Sequence, residues 1–300
     1  MKYHNYLLKG IQILTFIVVA VIIVFGYTLF TGNPEQQAET QTKTKIKRIA
    51  DYKKAAELDP RDPVPYEKIG DSYFLEKNYA SAKQNFEFAE SLKPGNSTLA
   101  IKIARSLIGQ RKILDAKITL EKIDPDTQES IYYKGLISTF LNQQGEAKDF
   151  LTQTIKTGVN EEIKRNAQKI LDIYKEFELV RDGKMEFLQA MLAQAFNQID
   201  EPGLAIELAF DALKTQYDYR DVWVILGHAF LNERKWMDAL DALAKAIDLD
   251  SNHPASFFFR GIANKNLDKT DAAISDFEKS LKLGYKPQIL AKYELAELYF

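Results

Sequence analysis

Tyr66-Glu67-Lys68-Ile69-Gly70-Asp71-Ser72-Tyr73, followed at fixed distances by Ala82, Phe86, Ala89 and Pro94, is the stretch that decides how this chain folds. An aromatic residue, a large aliphatic, a glycine and a second aromatic lie three, one and three residues apart. That spacing sets them along one face of a helix, and the small and aromatic residues that follow mark a second helix. The same slots recur at Trp223, Leu226, Gly227 and Phe230, then Ala239, Leu243 and Ala246. One period further on they hold Phe257, Gly261, Ala273 and Phe277; one period back they hold Leu192, Ala193, Phe196, Ala205 and Ala212. Three units therefore run in unbroken register over 186–219, 220–253 and 254–287. A half unit at Tyr52, Ala55 and Pro60 lies the same single period before Phe86, Ala89 and Pro94. An ordinary amphipathic bundle has no reason to keep this phase, so the pattern is an internal repeat.

The pattern of aromatic, aliphatic, glycine and tyrosine, then alanine, phenylalanine and proline, with a period of about 34 residues, resembles the tetratricopeptide repeat. The resemblance implies an all-α fold, an α-solenoid in which antiparallel helix pairs stack into a right-handed superhelix. Within a unit, Gly70, Gly227 or Gly261 is expected to face Ala82, Ala239 or Ala273 so that the two backbones approach closely. Asp59-Pro60, Asp124-Pro125 and Lys93-Pro94-Gly95-Asn96 are expected helix stops, because proline lacks the donor N–H and restricts the residue before it. The resemblance also implies docking, with first helices lining an inner wall that receives extended peptides or helices. In the second half of the chain the wall slots are Phe187, Ala190, Gln194 and Asn197, then Val224, His228 and Leu231, then Phe258, Ile262 and Lys265. The Lys/Asn/Arg clamp by which one subclass of the family grips a chaperone's C-terminal carboxylate finds no match. The corresponding slots are Val64, Glu67, Asp71 and Phe74 in the first unit and Asp221, Val224, His228 and Leu231 in the sixth.

Between the two well-matched ends the register slips. A full unit at 63–96, a shortened one at 97–127 around Ala104 and Ala116, and one at 128–161 around Gly135 and Ala147 leave a remainder too short for another repeat. Ile163, Ala167, Ile170, Leu171, Tyr174, Phe177 and Leu179 keep a helical period there, which predicts one additional long helix and a bend in the superhelix. The organisation expected is an N-terminal array over 45–161, an irregular connecting helix over 162–185, and a C-terminal array over 186–300. That last array closes on a helix, 289–300, with no partner helix after it.

Ahead of the arrays, residues 11–30 read IQILTFIVVAVIIVFGYTLF, uncharged and with fourteen Ile, Leu, Val or Phe. Twenty helical residues span roughly 30 Å of hydrocarbon, so this is a predicted transmembrane helix following a short tail, 1–10. A cleaved signal peptide fits less well, since the apolar run is long and Thr31-Gly32-Asn33-Pro34-Glu35 offers no small-x-small site. Residues 31–44 are polar and lack an apolar period, as a flexible linker does. Lys2 and Lys9 precede the span, and Thr31–Thr42 carries Glu35 and Glu39 but no Lys or Arg. The expected topology is single-pass, with the N-terminus cytoplasmic and the repeats extracytoplasmic. In the inverse topology Lys43, Lys45, Lys47 and Arg48 would reach anionic headgroups.

Composition closes off several alternatives. Forty Lys and Arg against 42 Asp and Glu give a net charge of −2, which argues against nucleic acid as a partner. The absence of cysteine excludes disulfides, thiol nucleophiles and Cys-ligated metals. Only His4, His228 and His253 occur, in no metal-ligand spacing, and no phosphate-cradling or nucleophile motif is present, so no cofactor, metal or catalytic residue is expected. His228 lies near Asp221 and Glu233 in sequence, an arrangement better suited to contact with a partner than to catalysis. The reading is a non-enzymatic, membrane-anchored scaffold for other proteins. The alternatives are a self-associating structural protein, joined through 289–300, and the regulatory subunit of a separately encoded enzyme.

Overall fold

The computed structural model describes residues 49–180 and 183–299. The tail 1–10, the transmembrane reading of 11–30 and the linker 31–44 lie outside the described residues. Among the described residues no helix is long and apolar enough to cross a membrane. They form fifteen α-helices and no strand. Helix α1 covers 49–58. Three helix pairs follow: α2 (Pro63–Leu75) with α3 (Tyr79–Leu92), α4 (Ser97–Gly109) with α5 (Ile113–Glu121), and α6 (Gln128–Phe140) with α7 (Gln144–Thr157). The 19-residue α8 (Glu161–Leu179) stands alone. Three more pairs are α9 (Met185–Gln198) with α10 (Pro202–Thr215), α11 (Arg220–Asn232) with α12 (Trp236–Leu249), and α13 (Pro254–Lys265) with α14 (Thr270–Lys282). Helix α15 (Gln288–Tyr299) packs on α14.

Polar residues start several of these helices by accepting from otherwise unpaired backbone N–H groups. Asp62 accepts from Val64 N–H with Pro63 in the first turn, Asn96 from Thr98 and Leu99, and Asn160 from Glu162 and Ile163. Thr127 and Ser130 cap α6 reciprocally.

The turn inside each pair repeats one geometry. Lys77, Arg111, Asn142, Asp200, Arg234 and Asp268 all have φ between 56° and 63°. In each turn the next residue's N–H reaches back to a carbonyl five residues earlier: Asn78 to Tyr73, Lys112 to Leu107, Gln143 to Ser138, Glu201 to Phe196, Lys235 to Phe230 and Lys269 to Asn264. This is the Schellman closure of a helix C-terminus, made here without glycine. The left-handed residues are spaced by 34, 31, 58, 34 and 34. The short step is the unit in which α5 has only nine residues before Asp124-Pro125, and the long step contains α8.

The glycines of four first helices also face a large side chain of the second helix. A Cβ on Gly70 would lie 2.5 Å from the Phe86 ring, and one on Gly227 would lie 2.5 Å from Leu243. Gly261 stands in the same relation to Phe277, and Gly135 to Leu151. The glycine thus makes room for a large side chain on the second helix, which is almost completely buried in all four units. The alanines at 82, 239 and 273 are fully buried as well, and large residues there would force the helices apart.

One apolar core runs from Ala82 to Ala263 through both arrays. A smaller cluster under α15 is formed by Phe258, Ala273, Phe277, Tyr285 and Ala291. The arrays are not simply end to end, because α10 lies against α4, far from it in sequence. A Cβ on Gly203 would stand 2.5 Å from the backbone oxygen of Ile108, so the two helices touch main chain to main chain.

Candidate functional site

The ten wall residues expected in the second array separate into three groups. Phe187 and Gln194 are exposed, and His228, Ile262 and Lys265 are half-buried. Ala190, Asn197, Val224, Leu231 and Phe258 are buried within the array. Phe258 stacks on Tyr285 with ring centroids 4.2 Å apart, and Asn197 Nδ2 donates to the Ile225 carbonyl at 2.9 Å. Lys265 pairs with Glu294 at 2.7 Å and with Glu297, so α15 occupies its charge. Phe187 and Gln194 line an open cleft of about 710 Å³ between α8 and α9, together with Met191, Gln198, Arg165 and Lys169.

His228 stacks on Phe259 at 4.6 Å, and burial alone pulls its pKa below the ordinary value. The two acids near it in sequence turn elsewhere: Asp221 pairs with Arg220 at 3.1 Å and Glu233 accepts from Tyr79. The stack on Phe259 gives this imidazole a packing role in the array. Among the described residues no cluster of three His, Asp or Glu is placed to hold a metal ion.

The first array's inner wall is different in kind. Its cations come from α4 and the first turn. Lys102 is held by Glu67 at 2.7 Å and Asp71 at 2.6 Å. Arg105 lies over the rings of Phe74 and Tyr133, at 5.0 and 5.5 Å. Against this wall sits the turn between α9 and α10. Glu201, 8% exposed, accepts a 2.9 Å hydrogen bond from Tyr133 Oη, with the Arg105 guanidinium close enough to act on its charge. Burial drives the Glu201 pKa up to about 7, against the opposing pull of Arg105 and Tyr133. Beside it, Lys77 approaches Asp200 at 3.6 Å, and Tyr79 Oη donates to Glu233 Oε1 at 2.7 Å. Burial also raises the pKa of Glu233, with Tyr79 and Lys77 opposing. Arg111 reaches Glu207 at 3.4 Å along the same edge.

Glu201 is the residue just before α10, where a carboxylate ordinarily caps the helix, yet its side chain makes no capping bond. Its hydrogen bond goes across to the first array instead. The slot reading of the first and sixth units missed this wall because it stopped one unit short. Arg105 lies one period after Asp71, in the same slot of the second unit. The acid was legible too: the residue after each left-handed turn position is Asn78, Lys112, Gln143, Glu201, Lys235 or Lys269, so the turn facing the other array is the one with an acid.

Residues 73–139 match the family model of the tetratricopeptide repeat. The chain carries tetratricopeptide repeats. A curated relative of these tetratricopeptide arrays, the DnaJ homolog subfamily C member 3 homolog of Dictyostelium discoideum, is 21% identical over 218 residues, covering 71% of this chain. The chain spans 42% of that relative's length. Among solved structures, the TPR2AB domain of yeast Sti1 in its pHSP90 complex is 12% identical, covers 79% of this chain and 98% of its own, and has a TM-score of 0.36. YrrB, described as a TPR protein with an unusual peptide-binding site, is 15% identical over 81% of this chain and 96% of its own, at a TM-score of 0.35. A tetratricopeptide repeat protein from Parabacteroides merdae is 15% identical over 89% and 97%, at 0.36.

Proposed function

We propose that the chain is a membrane-anchored, non-enzymatic scaffold that docks peptides or helices of partner proteins on its second tetratricopeptide array, for assembly of a membrane or envelope complex. The observation that carries the reading is the open cleft between α8 and α9. Phe187 and Met191 give it an apolar surface, Gln194 and Gln198 give it amide edges, and Arg165 and Lys169 give it charge. An amide-edged apolar cleft suits an extended backbone, whose N–H and C=O groups need partners while its side chains bury apolar area. His228 and Ile262 extend the surface along the array. Ala190, Asn197, Val224, Leu231 and Phe258 are buried in the array and hold its helices together.

The uncharged run 11–30 supports anchoring, and the charge around it supports an extracytoplasmic array with a cytoplasmic N-terminus. Tethering holds the cleft in a thin layer at the membrane, where partners resident there meet it at raised effective concentration. A photo-crosslinking residue at Gln194, with the protein in its membrane, tests the docking surface. Crosslinks to a membrane-resident protein that vanish on Phe187→Asp are expected; crosslinks indifferent to Phe187→Asp would sink the reading. Protease protection with a tag after Tyr299 reads the topology, and digestion from the outside is the expected result.

Self-association through α15 is the second reading, favoured by Ile289, Leu290 and Tyr293, which are 69%, 46% and 57% exposed. Such a patch marks an interface. Deleting 289–300 and measuring mass by light scattering decides it, since an unchanged mass leaves the patch without a partner copy.

A further inference from the structure

The strongest unassigned feature is the buried polar contact by which the second array closes on the first. Four observations meet there. Gly203 touches the Ile108 carbonyl so closely that no side chain fits between α10 and α4. Glu201 accepts from Tyr133 Oη beside Arg105 and leaves the start of α10 uncapped. Glu233, from the next turn of the second array, accepts from Tyr79 Oη in a buried bond. Lys77 sits by Asp200 at the rim, where a cavity of about 460 Å³ remains between Phe74, Lys77, Arg105 and Asp200.

We propose that the inner wall of the first array is a binding site for an acidic turn, read by Arg105 and Tyr133, and that the chain fills this site in cis with its own Asp200-Glu201-Pro202-Gly203, while Tyr79 beside it receives Glu233 of the next turn. The ligand class is a protein segment that presents one carboxyl group to Tyr133 beside Arg105 and follows it with a small residue able to lie on the α4 backbone. Selection is by hydrogen bonding to a carboxyl group whose burial the neighbouring guanidinium offsets. The wall offers a guanidinium backed by two aromatic rings, with Glu129 at 4.0 Å on one side and its buried Nε without a hydrogen-bond partner, which favours an acid on the other side. Hydroxyl donors from Tyr79 and Tyr133 fix where the carboxylates go, because a buried acceptor left unpaired is costly. A partner's acidic segment therefore competes with the second array, and it binds when the arrays part. The upward shift of the Glu201 and Glu233 pKa values accords with this, since deprotonation at higher pH loosens the cis contact. The charged and titratable groups facing the two acids are Arg105 and Tyr133, Lys77 and Tyr79, Lys235, and the neighbouring Asp200. The site is separate from the cleft beside Phe187, so it stands or falls independently of docking there.

Because the chain has no cysteine, two introduced thiols report array separation cleanly. Gln84→Cys on α3 and Asp241→Cys on α12, both at exposed positions, carry spin labels in the full chain. Gly203→Ala is expected to lengthen and broaden the inter-label distance while circular dichroism stays helical. Glu201→Lys serves as a second opening variant should α10 adjust to the methyl group. The binding probe is a fluorescein-labelled synthetic peptide of residues 196–206. It is expected to bind an opened variant at least tenfold more tightly than the parent, and a peptide with Lys in place of Glu201 is expected not to bind. Tyr133→Phe in the opened background should weaken the peptide severalfold. An unchanged distance in both opening variants, equal peptide affinity for parent and variant, or indifference to the Lys replacement overturns the proposal. Conversion of Gly203→Ala to a dimer overturns it as well, because the occupant would then be a second copy's turn.

Discussion

The two inner walls of this molecule are built from the same repeat and have opposite fates. In the first array the wall is charged and is covered by the chain itself, through Glu201 on Tyr133 near Arg105 and Glu233 on Tyr79. In the second array half of the wall is packed between repeats, while the stretch at Phe187 and Gln194 stays open beside α8. The difference teaches that a tetratricopeptide wall is not a groove by virtue of its slots. Whether a slot residue is surface, core or ligand contact depends on what the neighbouring units and the inserted α8 bring to it.

Substitutions of equal chemistry at matching slots sharpen that contrast. Glu201→Lys removes the acceptor of Tyr133 and buries a second cation near Arg105, and an uncompensated buried charge costs about 3–5 kcal/mol. Lys269→Glu, at the equivalent exposed turn position of the last unit, is expected to shift stability by no more than about 0.5 kcal/mol. Denaturant unfolding of the two variants against the parent reads both, and similar losses would make the turns equivalent and the contrast void. On the other wall, Phe258→Ala removes a ring stacked on Tyr285 and should cost about 3–5 kcal/mol, with loss of helical signal at moderate temperature. Phe187→Ala, at a 37% exposed residue, should leave the melting curve close to the parent's. Phe258 therefore does not suit a binding test that needs an intact array, and Phe187 does.

A smaller effect comes from pH. Glu201 has a folded pKa of about 7 against a usual value of 4.5, so the closed molecule binds the extra proton. Its contribution to closure is full below about pH 4.5, declines as pH rises toward 7 and is lost above it. Inter-array distance measured between pH 5 and 8 should lengthen with rising pH, and Glu201→Gln, which keeps the acceptor for Tyr133 and removes the titration, should flatten most of the profile. Glu233 contributes in the same direction. A profile with the opposite slope would mean that the Arg105 attraction outweighs burial.

The smallest expected change concerns the turns. Arg234 is exposed and holds φ at 57°, where side chains other than glycine are disfavoured. Arg234→Gly should raise stability by about 0.5–1 kcal/mol, the relief of the left-handed conformation less the entropy glycine loses on folding. A decrease on calorimetry would show that the arginine side chain makes a contact outweighing that relief.

Much of the fold was legible because the repeat is a local code. Its period appears in the residues that build each pair, from Ile69 and Gly70 to Phe86, and the structure repeats it in the left-handed turns at Lys77, Arg111, Arg234 and Asp268. Even the shortened step at Asp124-Pro125 was visible, since proline acts on its own helix. The partner of each glycine was not. Alternating small and large residues at helical spacing says that a close approach exists without saying which of Ala82 or Phe86 lies across from Gly70, and only the helix crossing decides that. The candidate wall was legible in position and not in burial. Val224, Leu231 and Phe258 occupy the same kind of slot as Phe187, but they have a following repeat or helix stacked on them.

Sequence by itself determined the pairs, their turns and their phase, because these follow from contacts between residues within one repeat length of each other. The uncharged run 11–30 that motivates the membrane anchor is likewise a property of the chain alone. Tertiary structure decided that the second array returns to the first, so that Gly203 meets Ile108 and Glu201 meets Tyr133. That outcome belongs to the accumulated angle of many packed helices, and no local pattern encodes it. A single acid among the turn residues records it in the sequence, and its meaning emerges only when Arg105 stands opposite.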